Sequence, residues 1–471
     1  MQYKPTIGLE IHAELATKTK MFCSSANDPD EARPNVNVCP VCMGHPGTLP
    51  VINKEAVRQV LRVGVALGGE LADYTEFDRK NYFYPDLPKG YQISQYEHPL
   101  VAGGTLAGVE LTRIHLEEDT GTNIHKDGHS LVNYNRAGIP LLELVTEPVI
   151  SSAEAARDFG KEFQLLLRTL EASAANLEKG EMRLEANISV APEDAEEFGT
   201  KVEIKNLNSF QIAYDAIQYE IKRQQEVLEK GGELVQETRG WDEEKEKTFS
   251  QRAKETSDDY RYFPDPDLPK LKISEVAEFA SDVLEESLPE LLVESRARLE
   301  KLGLSSDDTA TFLERPDLKK LFDETIAETG AGEEVIRLTV NYITSDVIGL
   351  EREHDCRQEI APADFAMLIT MIADEELSSR GGKDTLAIMF SAGGDPREIA
   401  KIEGLLQQSS EADLLPVVRE IIRENPDVTA DYQGGNQSAI QYLVGQGMQK
   451  TGGAANPQVL KELLVSELST S

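Results

Sequence analysis

Cysteine, tryptophan and positive charge are all scarce in this chain of 471 residues, which has four cysteines, one tryptophan and 48 Lys+Arg against 84 Asp+Glu. Four cysteines cannot staple a chain of this size, so a disulfide framework is excluded. The shortage of cations leaves a net charge of −36. Taken alone, that argues against nucleic acid as a partner, because phosphates want a basic surface. A salt-adapted surface fits the same balance, since salt screens the repulsion among surplus acids. No apolar run approaches the ~18 residues of a membrane span. The start Met1-Gln2-Tyr3-Lys4-Pro5 has no apolar run behind a basic one, so no signal peptide is expected. Walker A and GxGxxG loops are missing, as are internal repeats and low-complexity segments. If a nucleotide binds, it binds on a sheet. A cytoplasmic enzyme or binding protein of two or three domains is the expectation.

What is present begins with an alternating stretch. Ile7, Leu9, Ile11, Ala13 and Leu15 fall on one strand face, and Glu10, His12 and Glu14 on the other. Neighbours in that polar row stand about 6.5–7 Å apart. Carboxylates and imidazole are donors that divalent cations take. The pattern recurs. Arg183, Glu185 and Asn187 alternate with Leu184, Ala186 and Ile188. Lys201, Glu203 and Lys205 alternate with Val202 and Ile204, and Glu143 and Glu147 share a face. Arg113, His115, Glu117 and Asp119 share another, opposite Glu118. One half-solvated sheet would show such alternation for no functional reason. However, the polar sets favour Glu, His, Arg and Asn over the Thr, Ser and Lys of ordinary solvated faces. Clustered acids flanked by cations suit Mg²⁺ with a polyphosphate.

Mixed α and β patterns run to about residue 272. Asn53 is placed to cap a helix stopped by Gly68-Gly69, Ser151 with Glu154 forms a capping box, and Asn208 or Ser209 caps a third helix. From Ser274 strand patterns vanish and helices dominate, punctuated by Pro316, Pro362 and Pro396. A further change at 408–413 opens a tail of short helices. The tail has four cations (Arg419, Arg423, Lys450, Lys461) against eight acids.

Cys39-Pro40-Val41-Cys42 is a CxxC knuckle with Cys23 upstream and His45 nearby. A zinc site and a set of idle thiols both fit these residues. Cys356, set among charges, has no evident partner. The loop 77–95 interleaves tyrosines with Arg79, Lys80 and Lys89, and Tyr260-Arg261-Tyr262-Phe263-Pro264 echoes it. Such loops line polar channels, stack on bases or cover a core edge.

Together the motifs resemble a family. They are residues 6–15, Pro46–Asn53, the loop Phe77–Gln95, His115–Asp119, Asn135–Glu143, Lys205–Phe210, Ser257–Asp267, Leu443–Gln446 and Ala455–Pro457. In order and wording they are similar to the GatB family, the B subunits of aspartyl/glutamyl-tRNA amidotransferases, at the length of its bacterial members. The resemblance implies an α+β fold. A glutamine-synthetase-like catalytic cradle on an antiparallel sheet would occupy 1–272, an all-α helical domain 273–409, and a small YqeY-like, tRNA-binding tail 410–471. It implies a cytoplasmic ligase that uses ATP and Mg²⁺ to phosphorylate the side-chain carboxyl of Glu-tRNA(Gln), and of Asp-tRNA(Asn) in many members. Ammonia would come from glutamine by way of the partner glutaminase (amidase), with a further small protein completing a heterotrimer.

Carried over by position, Glu10, His12, Glu118 and Glu143 are the metal ligands, with Glu117 in reserve, and Glu185 and Glu203 are neighbouring acidic cofactor-binding positions. Arg79, Lys80 and Lys205 are phosphate or channel contacts. Zinc-bearing members have Cys-x-Cys before the knuckle, whereas Ser25 stands here where the second cysteine would be. Zinc on Cys23, Cys39 and Cys42 is therefore the point at which this chain departs from the pattern. Position 185 is also Glu where the family usually has Asp.

Overall fold

The computed structural model describes residues 2–253, 260–354, 360–407 and 410–470. Cys356, residues 257–259 of the Ser257–Asp267 motif and residues 408–409 lie outside that set. The chain divides into two compact units, Met1–Leu292 and Val293–Ser471.

The first unit is built on a ten-stranded sheet. Its strands are β1 (Tyr3–Glu14), β2 (Glu70–Leu71), β3 (Val101–Ala102), β4 (Val109–Glu118), β5 (Pro140–Thr146), β6 (Met182–Pro192), β7 (Val202–Leu207), β8 (Glu237–Asp242) and β9 (Lys247–Ala253), with Thr105–Leu106 pairing onto β4 off the main path. The order is β9-β8-β7-β6-β1-β5-β4-β3-β2, so the opening strand lies at the centre. The sheet departs from a purely antiparallel one at a single pair, β7–β8, which is parallel. The reason is local: a helix, Phe210–Glu229, intervenes between the two strands, and a crossover of that length returns the chain in the same direction.

Alternation sorts the two faces as the sequence predicts. Ile7, Leu9, Ile11 and Ala13 are fully buried, and so are Leu184, Ala186 and Ile188. Each large apolar side chain so buried contributes about 1.5–3 kcal/mol. Three helices flank this sheet: α1 (Lys54–Ala66), α2 (Ala153–Thr169) and α3 (Phe210–Glu229). Asn53 caps α1 through the N–H groups of Glu55 and Ala56, and Ser209 caps α3 through Ile212 N–H. For α2 the cap is Ser152 rather than the expected Ser151. Its extended backbone (φ −149°, ψ 159°) aims the hydroxyl at Ala155 N–H. A methyl group on Gly160 of α2 would stand 2.9 Å from Phe210 and 3.1 Å from Leu184, so α2 lies close against both α3 and the sheet.

The second unit is helical. Pro316, Pro362 and Pro396 each open a helix (Pro316–Thr329, Pro362–Ala373, Pro396–Ile402), where a missing N–H costs nothing. One apolar cluster gathers around Phe312, Phe322 and Phe365, and a second around Leu414, Leu443 and Leu460 in the tail. Asn456 of the Ala455-Asn456-Pro457 motif is buried. Its side chain accepts from Gln458 N–H (2.9 Å) at the start of the last helix and donates to Glu375 (2.6 Å). Among the described residues no helix is long and apolar enough to cross a membrane.

Candidate active site

The polar face of β1 and its neighbours is a grid set by strand register. His12 lies opposite Glu143 on β5 and Arg183 on β6, and Glu143 lies opposite His115 on β4. One step along, Glu10 faces Glu185, and Asn187 faces Glu203 on β7. Paired residues in an antiparallel ladder share a face. Two constellations result.

In the first, His12 Nε2 lies 3.5 Å from both Glu117 Oε1 and Glu143 Oε2, and His115 Nε2 lies 3.1 Å from Glu143 Oε2. Burial opposes a charge on His12, but Glu143 and then Glu117 outweigh it and push the imidazole up to about 9. The two histidines in turn hold Glu143 well below the usual carboxylate range against its own burial. A proton on His12 and a divalent cation answer to the same carboxylates, so a metal would take the proton's place. The second oxygen of Glu117 is buried with no hydrogen-bond partner. A buried carboxylate oxygen left unpaired is costly, and a cation would satisfy it. His12, Glu117 and Glu143 offer ligand atoms within 4.8 Å of one another, so these residues fit a hard cation.

The second constellation is Glu10, Glu185 and Glu203, also within 4.8 Å. Lys205 Nζ is 2.7 Å from Glu185 and 3.3 Å from Glu203. Thr238 Oγ1 donates to Glu203 (2.7 Å), and Asn187 Nδ2 to Glu10 (2.7 Å). Burial, followed by Glu143 and Glu185, raises the Glu10 carboxyl above its ordinary range. Lys205 overcomes the burial of Glu185 and lowers it.

Glu118, carried over from the family pattern as a metal ligand, points away from both constellations. It pairs with Lys89 and accepts from Ile93 N–H (3.0 Å). Glu117, the neighbour that alternation groups with His115, stands beside His12 instead. No bulge interrupts β4 there; the one register shift between β4 and β5 comes at Val145/Thr146.

Arg79 and Lys80 also part company. Arg79 is held by Asp265 (2.8 Å) and Asp267 (3.0 Å) and lies over the Tyr91 ring. Lys80 is raised well above its usual range: burial opposes the charge, and Glu117, Tyr262 and Glu143 outweigh it. The two tyrosine-rich loops meet in space. Phe263–Pro264 pairs with Asp78–Asn81, Tyr96 stacks on Tyr262 (4.5 Å), and Lys80 lies over Tyr260.

Glu14 does not join His12. It neighbours Asp119, which is held by Arg183 (2.9 Å) and Arg136 (3.4 Å). Sequence reasoning gives neither arginine a place in the site; the register opposite His12 marks Arg183, and nothing short of the fold marks Arg136.

Behind β4 a pocket of about 120 Å³ is lined by Cys23, Cys42, His45, Lys89, Tyr91 and Glu118, among others. Cys23, Cys39 and Cys42 offer sulfurs within 4.8 Å of one another. Lys20, fully buried, donates to Tyr134 O (3.1 Å) and stands 3.9 Å from Cys42 Sγ. A hydrogen bond from Cys23 pulls the Cys42 thiol down to about 4 against its burial, and Cys23 rises in return.

Comparison with known proteins bears on this arrangement. The family described as GatB/GatE catalytic domain matches residues 5–278, and the GatB domain matches residues 320–468. The chain is 42% identical to the B subunit of an aspartyl/glutamyl-tRNA(Asn/Gln) amidotransferase from Herpetosiphon aurantiacus over the whole of both chains (100% and 100%). The same identity, 42%, and the same full coverage (100% and 100%) hold for the protein of that name from Halorhodospira halophila. With that of Persephonella marina it shares 40% over 98% of this chain and 99% of the relative. The sheet that carries the two constellations lies inside the matched catalytic region, and the chain belongs to the GatB family, the B subunits of aspartyl/glutamyl-tRNA amidotransferases.

Proposed function

We propose that this chain is the ATP-using component of a tRNA-dependent amidotransferase, a carbon–nitrogen ligase with glutamine as nitrogen donor. Its substrates are Glu-tRNA(Gln) and Asp-tRNA(Asn). The single observation that carries the site is the His12–Glu117–Glu143 cluster with its unpaired buried oxygen, inside the region matched to the family's catalytic domain.

A carboxylate is a poor acyl donor. The γ-phosphoryl group of ATP therefore moves to a side-chain carboxylate oxygen, and ADP leaves. Ammonia nitrogen then bonds to the carbonyl carbon, phosphate departs, and the nitrogen gives up a proton. Such steps need positioning and charge compensation more than a nucleophilic side chain. Mg²⁺ held by His12, Glu117 and Glu143 would offset phosphate charge and orient the transferring group. Lys80, turned toward the same carboxylates, supplies a fixed cation at the site's edge. Glu10, Glu185 and Glu203 form the acidic floor beside it, with Lys205 holding Glu185 and Glu203 in place. Arg79 acts at one remove, tying Asp265 and Asp267 to the loop that presents Lys80. Cys23, Cys39 and Cys42 fit zinc in their sulfur spacing, as a site separate from the phosphorylation face.

Residues 1–272 form the catalytic cradle. The helical part, 273–409, and the tail, 410–471, hold the tRNA. The glutaminase (GatA) supplies ammonia, the small GatC protein completes the complex, and the complex works in the cytoplasm.

The test is transamidation of mischarged tRNA by the complex reconstituted with GatA and GatC, with and without ATP. Amide formation only with ATP is expected. Amide formation without ATP would overturn the phosphorylation step. His12→Ala and Glu10→Ala should both abolish Mg²⁺-dependent ATP cleavage, and full activity in both would remove the site assignment.

A further inference from the structure

The three-sulfur cluster behind β4 has a property that the phosphorylation face does not need. Cys39 and Cys42 Sγ stand 3.9 Å apart. The edge of a tetrahedron with zinc–sulfur bonds of about 2.3 Å is about 3.8 Å, so these two sulfurs are already at ligand spacing. Cys23 completes a triangle of sulfurs within 4.8 Å, and no histidine or carboxylate atom joins it among the described residues. Ser25 Oγ stands 3.9 Å from Cys42 Sγ. A neutral hydroxyl is not among the donors zinc ordinarily selects. Glu118 is committed to Lys89 and Ile93 N–H through one oxygen.

Charge points the same way. Three thiolates on a divalent cation carry one net negative charge. Lys20, fully buried at 3.9 Å from Cys42 Sγ, supplies one positive charge to match it. Lys89 lines the same pocket but is paired with Glu118, so a fourth thiolate would leave a second negative charge with no cation of its own in a desolvated setting. Space is available as well: Cys23 and Cys42 line the pocket of about 120 Å³, which has room for a water-sized ligand.

We infer that this chain binds a thiophilic divalent metal through three thiolates only, leaving the fourth tetrahedral position open to the pocket for an exchangeable small donor such as water, ammonia or a thiol. The inference rests on the zinc reading proposed above. It makes the centre differ in kind from a closed four-sulfur structural site, because open positions are what allow a metal to take a ligand.

Cobalt(II) is the probe. The metal-free full chain is titrated with Co²⁺, and the thiolate-to-cobalt charge-transfer band and the visible d–d bands are recorded with and without added imidazole. One cobalt per chain is expected, with d–d bands that shift on adding imidazole. Ser25→Cys should strengthen the charge-transfer band by about one third, the ratio of four thiolates to three, and should abolish the imidazole response. His45→Ala should leave the unliganded spectrum unchanged. Absence of any charge-transfer band overturns the metal reading together with the inference. A charge-transfer band with d–d bands indifferent to imidazole, or changed by His45→Ala, overturns the open position alone and leaves metal binding standing.

Discussion

Replacing Glu14 with glutamine should flatten the pH dependence of stability in the N-terminal unit. Glu14 is 7% exposed. Burial first and Asp119 second push its carboxyl up to about 9, although Arg136 and Arg183 pull the other way. Its ordinary value is 4.5, which is what the unfolded chain has. Between those values the folded protein holds a proton that the unfolded chain has released. The stability contributed by this group is therefore complete below the unfolded value and is lost as pH rises toward the folded one. The slope is about 1.4 kcal/mol per pH unit. Going from pH 6 to pH 8 the wild type should lose roughly 2–3 kcal/mol through the Glu14–Asp119 pair. Glutamine offers Asp119 an amide N–H in place of the carboxyl O–H and has no proton to lose.

The assay is urea unfolding in EDTA at pH 6 and pH 8. It is followed by fluorescence of Trp241, the chain's one tryptophan, which lies in β8 of the same unit. Subtracting the variant's pH dependence from that of the wild type cancels the other titrating groups. A difference within about 0.5 kcal/mol, the usual scatter of surface variants, would refute the shared-proton account of Glu14 and Asp119.

Three further outcomes are expected. Glu117→Gln should weaken Mn²⁺ or Mg²⁺ binding at least about tenfold, whereas Glu118→Gln should leave it unchanged; equal losses in calorimetric titrations would return Glu118 to the metal site. Arg79→Met leaves Asp265, whose side chain is fully buried, without its partner. Because Arg79 is itself partly exposed, the cost should fall near the lower end of the range for broken buried pairs, about 3 kcal/mol, read as a lower urea midpoint; an unchanged midpoint would show that water already satisfies Asp265. Gly160→Val forces α2 away from Phe210 and Leu184 and should cost about 1–3 kcal/mol, visible as a lower melting temperature; a melting temperature at or above that of the wild type would mean that α2 can shift freely.

The parts of the fold that local chemistry decides were legible in the sequence. Period-two alternation placed His12, Glu143 and Glu185 on one sheet face because a half-buried strand has no other way to sort its side chains. The same rule pointed to Glu117, whereas positional resemblance pointed to Glu118; in the structure Glu117 stands beside His12. The three prolines found their places because only a helix's first turn tolerates the missing N–H. Pairings between segments distant in sequence were not legible. Lys20 sits in a plain Thr-Lys-Thr-Lys run, and only the fold shows that its ammonium is buried against Cys42. The carboxylate pair Glu14–Asp119 and its two arginines come from four separate segments, β1, the end of β4, the loop before β5, and β6. No spacing along the chain encodes that meeting. Ser151 and Ser152 differ only in backbone angle, which sequence does not print.

Glu117 and Glu118 are adjacent in the chain yet serve opposite sides of β4, one facing His12 and the other Lys89. That makes the residue count of this strand a fixed quantity. Adding or deleting one residue between Arg113 and Glu117 would send every side chain after it to the opposite face, turning Glu117 away from His12 and Glu118 away from Lys89. The hairpin Thr122–Asn133, a few residues further on and solvent-exposed at its tip, carries no such parity and should accept insertions of either length.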